Sequence, residues 1–382
     1  MKSISNPAIR ALGILSAAGL ALSANAAPAP SGFLEQVKTH ITEWDTDHDD
    51  ALTIKEVELA LSNPKVKGPE AAAVASLRRG MKAKKLASLT LDQITASVPF
   101  KADANPAPPN YESMYKAGVT KIETTPHELF PEGQPDISTL AQGRLGDCFL
   151  MAALGTYTYR NPAGLKKMMQ VQPDGQVALT FATGQKTVMP MPTDGEIIIG
   201  STTRGHGVWG NMFEKSVGQV FLDKQKTGKY VSPYSIIGVG GSPHTVLQML
   251  TGRTTVRVGC EDFRKLGLDA AKRETMLNDL RATLIKAQDE GKYIVCGNGA
   301  IKDQARVPGI YFLHSYSVLG YDAKADTVAF WNPMSNAHKP KGEPGLKYGY
   351  PTSYGKFTVP LTEVVQWLGS FSIETNTPVP AE

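Results

Sequence analysis

Cysteine is scarce: three in 382 residues, far too few for a disulfide-stapled scaffold. Neither sign of charge dominates. Forty Lys and Arg face 36 Asp and Glu, a formal charge of +4, so nothing argues for nucleic acid or an anionic membrane as a partner. Long hydrophobic runs are missing as well. The apolar stretch at 11–22 is too short to span a bilayer. Histidine numbers only seven, which narrows the choice of any catalytic base.

What is present begins with a leader. Lys2 and Arg10 give a basic start, 11–22 is apolar, and Ala24-Asn25-Ala26 is a small-x-small cleavage site. Residues 1–26 read as a secretory signal peptide, so the chain is expected to be exported, periplasmic or extracellular, with no membrane anchor after cleavage. Removing two basic residues and no acid leaves the remainder near neutral. That remainder is long enough for one large or two unequal domains. In an oxidising compartment parity would pair Cys260 with Cys296 and leave Cys148 free; three reduced thiols are the alternative.

Residues 27–98 carry a calcium-loop pattern. After a helical stretch at 33–44, DTDHDDALTIKE (45–56) places oxygen side chains at loop positions 1, 3, 5 and 9 (Asp45, Asp47, Asp49, Thr53). Ala51 offers its carbonyl at position 7, and Glu56 at position 12 can bind through both oxygens. This is EF-hand spacing for Ca2+. Position 6 is Asp50 where glycine is usual, a departure costing on the order of 1 kcal/mol in a left-handed backbone. SLTLDQI (88–94) repeats ALTIKEV (51–57), with Leu89 in the place of Leu52. The implied second loop, with Lys82, Lys84 and Leu86 at ligand positions, cannot bind calcium, but can complete an EF-hand-like pair. Residues 99–133, rich in proline, read as an extended linker or pro-segment.

Residues 142–157, QGRLGDCFLMAALGTY, organise the rest. A glycine-rich turn delivers Cys148 to the first turn of an apolar helix, where unpaired N–H groups favour a thiolate. Asp147 can cap that helix, and Gln142 can aim its amide at an oxyanion. Alone, Cys148 reads equally well as a small core residue, and needs a histidine from elsewhere. Strands are expected at 176–181, 196–199, 293–295, 311–321, 327–332, 355–359 and 370–373, and helices at 209–222, 244–252 and 274–289. The layout is α+β with two lobes.

His314 stands out because it lies in an apolar strand, IYFLHSYSVLGYD, where an unpartnered polar group is costly. A turn at 322–325 returns the chain as TVAFWNP. Counting back from Tyr321 and forward from Asp326 brings His314 and Asn332 within one position of facing each other. Asparagine would fix the imidazole tautomer, giving a Cys-His-Asn set.

The order Cys148, His314, Asn332, with QGRLGDCFLMAAL, HSYSVLGYD, WNP, Trp209 followed by FEKS, and GGSPHTVLQMLTG, resembles the calpain family of papain-like cysteine proteases over residues 134–376. The resemblance implies a two-lobed fold with the cleft between lobes and protein or peptide substrates. It implies Cys148 as nucleophile, His314 as base then acid, Asn332 as orienter, and Gln142 with the Cys148 N–H as oxyanion hole. Phe149, Leu313 and Met334 depart from the family's usual tryptophan, glycine and tryptophan. Those departures leave open a catalytically weak or inactive interaction protein on the same fold. Acyl transfer to amines is disfavoured by asparagine in place of aspartate as orienter.

Overall fold

The structure is a computed structural model describing residues 32–98, 109–131, 133–265, 267–299 and 305–380. The expected leader (1–26) and the first ten residues of the proline-rich stretch, 99–108, lie outside the described residues. In chain order the first elements are α1 (Phe33–Trp44), β1 (Ala51–Thr53), α2 (Ile54–Leu61), α3 (Gly68–Lys84), β2 (Ser88–Thr90), α4 (Leu91–Ser97) and α5 (Tyr111–Thr124). A mainly helical stretch follows: α6 (Cys148–Arg160), α7 (Pro162–Met168), a small sheet of β3 (Met169–Val171), β4 (Val177–Thr180) and β5 (Lys186–Met189), then α8 (Asp194–Ile199), α9 (Trp209–Lys224), α10 (Pro233–Ile237) and α11 (Pro243–Thr251). The last third holds β6 (Arg253–Gly259), α12 (Ala270–Asp289), β7 (Ile294–Gly297), β8 (Ser315–Asp322), β9 (Thr327–Trp331), β10 (Lys356–Pro360), α13 (Leu361–Trp367) and β11 (Ser370–Pro378). No helix of the described residues is long and apolar enough to cross a membrane.

The internal repeat in the sequence is a repeat in space. β1 and β2 pair antiparallel with Leu52 opposite Leu89, and each leads into a helix opened by the same capping box, Thr53 with Glu56 and Thr90 with Gln93.

Three expectations are corrected. The stretch expected as extended linker contains α5, capped by Asn110. Tyr111 and Tyr115 are buried on one face, and Tyr111 stacks on Phe33 at 4.9 Å. Gly80 of α3 makes that docking possible, since a Cβ there would lie 2.4 Å from the Tyr111 hydroxyl. Residues 196–199 form not a strand but the end of α8, because Thr193 and Glu196 cap it reciprocally. β8 starts at Ser315, so 311–314 precede the sheet as irregular chain.

Two hydrophobic cores result. One runs from Phe33 through the α1–α11 region to Leu250 and takes Val295 and Trp331 from the sheet. The other fills the antiparallel six-stranded sheet, order β10-β9-β8-β7-β11-β6, against α12 and α13. Mixed helix and sheet is the α+β class read from the sequence. The four-helix region shares the first core with α6 and α9, so residues 32–382 form one compact unit.

Candidate active site

Cys148 is the first residue of α6, and no charge appears along that helix before Arg160. Its turns are buried from Phe149 to Thr158 and bonded to the sheet. Ser317 Oγ donates to the Ala152 carbonyl at 2.7 Å, and Thr156 Oγ1 donates to the Val318 carbonyl at 3.1 Å. The helix therefore carries the sulfur to the start of the interior strand β8, beside Ser315.

There it shares a cavity with His314. Cys148, His314, Ser315 and Leu313 line one cavity of about 650 Å3, walled by Gly146, Gly238 and Gly240 on one side and Gly297 and Gly369 on the other. His314 Nε2 bonds Asn332 Oδ1 at 2.8 Å. Asparagine oxygen can only accept, so Nε2 carries the proton and Nδ1 is left as an acceptor. Asn332 Oδ1 also accepts from the Met334 N–H at 3.0 Å, while its amide donates to Asn336 Oδ1 at 2.8 Å.

The pairing differs in detail from simple strand counting. The β8–β9 ladder matches Ser317 with Trp331 and shifts by one between Val318 and Gly320. His314 and Asn332 lie beyond the ladder's end, where side chains rather than backbone make the contact.

Burial pushes the Cys148 thiol up. Ser315 opposes this with its N–H and hydroxyl, as does the Phe149 N–H, and Asp147 adds to the rise. Burial pushes His314 down, against the Asn332 hydrogen bond. Both shifts favour the neutral thiol and neutral imidazole over the ion pair that a helix N-terminus alone suggests.

Asp147 does not cap α6. Its carbonyl accepts from the Leu150 and Met151 N–H groups, but its side chain is fully buried and turned toward Glu214 of α9 and Gln142. Glu214 accepts from Ser201 N–H at 2.9 Å and Ser201 Oγ at 3.0 Å. Burial pushes both carboxyls up, and the neighbouring Asp147 raises Glu214 further. Two adjacent buried carboxyls resist ionising together, and Glu214 is the one raised well above its ordinary value.

Gln142 is not in the cleft. Its N–H donates to the Pro333 carbonyl at 2.7 Å and its Nε2 to the Leu145 carbonyl at 2.7 Å. It lines a different cavity, behind the turn. Sequence reasoning also missed Asn298, which accepts the His314 N–H at 2.8 Å and donates its own N–H to the His314 carbonyl. Ser315 and Asn336 were missed too. Ser315 is signalled by adjacency to the base; Asn298 comes from a separate strand end and carries no local signal.

Of the expected calcium ligands, Asp45, Asp47 and Glu56 converge, with one carboxylate oxygen from each within 4.8 Å of the others. Asp47, exposed, is raised by some loss of solvation in the loop and by Asp49, Glu56 and Asp45 around it. Burial works against Glu56, but hydrogen bonds from Thr53 and Thr46 hold it below its ordinary value. Asp49 Oδ1 turns to the Ala51 N–H at 2.9 Å, and Thr53 Oγ1 donates to Glu56 Oε2 at 2.9 Å. Ala51 starts β1 opposite Thr90. His48 and Asp50 both adopt left-handed φ, +58° and +64°, which folds the loop around the acids.

Residues 108–342 match the family model described as calpain family cysteine protease. No curated protein matches the chain.

Proposed function

Since the chain belongs to the calpain family of cysteine proteases, we propose that it is an exported endopeptidase working through Cys148, His314 and Asn332. The observation carrying this is the 2.8 Å bond from His314 Nε2 to Asn332 Oδ1, in a cavity that also holds Cys148. With Nε2 occupied, Nδ1 takes the thiol proton as sulfur attacks the peptide carbonyl carbon. The oxyanion falls to the Cys148 N–H at the start of α6, with Gln142 as second donor once its amide leaves the Leu145 carbonyl. The imidazolium then gives its proton to the leaving amine. Water, deprotonated by the same nitrogen, releases the acyl group.

The helical region at 33–97 is proposed to be an EF-hand-like pair whose first loop holds calcium. An all-oxygen donor set, three converging carboxylates and two left-handed turn residues fit a hard cation. Asp45, Asp47 and Glu56 would hold it, with Asp49, Ala51 and Thr53 completing the shell after small side-chain turns. The ion would neutralise the acid cluster and stiffen the loop.

The test is casein hydrolysis by the full chain, with and without about millimolar calcium, beside Cys148→Ala. Cleavage lost in the variant supports the protease. Leu313, 62% exposed with φ +53°, and the exposed Met334 favour a second reading, a binding protein on a retired site. Failure of a thiol-directed epoxide to label Cys148 would select it.

A further inference from the structure

A second cavity, about 720 Å3, lies on the far side of the turn that precedes Cys148. Five cations line it: Arg78, Arg79 and Lys82 from α3, Lys121 from α5, and Arg144 from the turn itself. None of its lining residues is acidic. Three of the cations have partners. Arg78, buried, pairs with Glu58 at 2.9 Å, and Lys121 Nζ donates to the Ile198, Gly200 and Ser201 carbonyls. Lys82 shares Glu58 at 3.5 Å. Among the described residues Arg79 and Arg144 have no ion-pair partner, and each is felt by another cation. Burial and Arg144 both depress Arg79; burial and Arg144 lower Lys121 to about 8, against the pull of Glu214.

Like charges gathered around a concave space are costly unless an anion completes them. Guanidinium pairs match the forked oxygens of phosphate groups, and the volume suits a small ligand. We propose that this cavity binds a soluble multivalent oxyanion of the oligophosphate class, held between Arg79 and Arg144 and backed by Arg78, Lys82 and Lys121. The same cavity touches Gln142, Gly143, Leu145 and Met334, and it shares Gly238 with the cleft. An occupant drawing Arg144 toward α3 therefore acts on the turn carrying Gln142 and Cys148. Binding is independent of whether the chain cleaves peptides, so its test separates it from the proteolytic reading.

Tripolyphosphate is titrated calorimetrically into the full chain in calcium-free buffer at about 0.15 M salt, where surface charge is largely screened. Saturable one-to-one binding is expected, tighter than for inorganic phosphate. Affinity should fall about tenfold in Arg144→Gln and about a hundredfold in Arg79→Gln/Arg144→Gln, as charged hydrogen bonds are lost. Lys265→Gln, an exposed cation elsewhere, should bind as the parent does. Because the two arginines lack partners, the unliganded double variant is expected to melt no lower than the parent. Absence of saturable binding, or equal affinity in the single and double variants and the parent, overturns the proposal.

Discussion

Leu313 is the most constrained residue near the cleft. It occupies the left-handed region at φ +53° directly before His314, where glycine fits without steric cost. Relief of strain, less the extra freedom glycine gives the unfolded chain, is expected to stabilise Leu313→Gly by up to about 1 kcal/mol. Urea midpoints would measure this, and a loss of more than that size would sink it. The neutral thiol and imidazole set the pH profile. With His314 below 6.5 and Cys148 above 9.0, kcat/KM should rise through an acid limb below pH 6.5 and fall only above pH 9. An acid limb above neutrality would contradict the burial described. Glu214 titrates in the opposite sense from an ordinary paired carboxylate. Its folded pKa is raised above 4.5, so its stabilising contribution is complete below that value and lost as pH climbs through the folded pKa. Unfolding free energy should therefore decline as pH climbs above 4.5 toward the folded pKa, by up to about 1.4 kcal/mol per unit. Glu214→Gln, which keeps an acceptor for Ser201, should flatten the slope; an unchanged slope would refute the assignment.

At the scale of elements, α6 against β8 and β9 is the joint that brings Cys148 to the cavity holding His314. Gly155 permits it: a Cβ there would lie 2.5 Å from Trp331 and 2.6 Å from Ser317 Oγ. Overpacking at Gly155→Ala is expected to cost about 1–3 kcal/mol and to lower kcat more than it raises KM. Thermal unfolding beside steady-state kinetics would check both, and an unperturbed melt would refute the first. Much of this level was legible in the sequence. The Cys148 helix, α9, α11, α12 and the His314–Asn332 hairpin all carry strong periodicity or a turn, and the Leu52–Leu89 pairing followed from a short repeat. The failures have physical causes. Helix α5 was hidden behind prolines, and its burying face, Tyr111 and Tyr115, is recognisable only once Phe33 and Gly80 are beside it. Residues 196–199 look like a strand by composition, whereas the capping box between Thr193 and Glu196 decides for helix. Asn298 and the Asp147–Glu214 pair depend on segments brought together by the fold, and no spacing rule reaches them. Gln142 was found by motif, but its amide direction is set by the Leu145 carbonyl.

For the whole molecule, the shared core of α1–α5 with α6 and α9 means that calcium at residues 45–56 should stabilise more than its own loop. A ligand at a hundred times its dissociation constant adds about 2.7 kcal/mol. Calorimetry is expected to show one transition covering residues 32–382, shifted upward by calcium in the parent and unshifted in Asp45→Ala. Two separable transitions, only the lower one moved, would mean the helical region melts alone. The stacking of Tyr111 on Phe33 has a consequence for how such a chain can be matured. A cut beyond Phe33 strips a partner from α5 and leaves an apolar wall facing water. Proteolytic removal of these helices would therefore expose the core that α6 and α9 share with them.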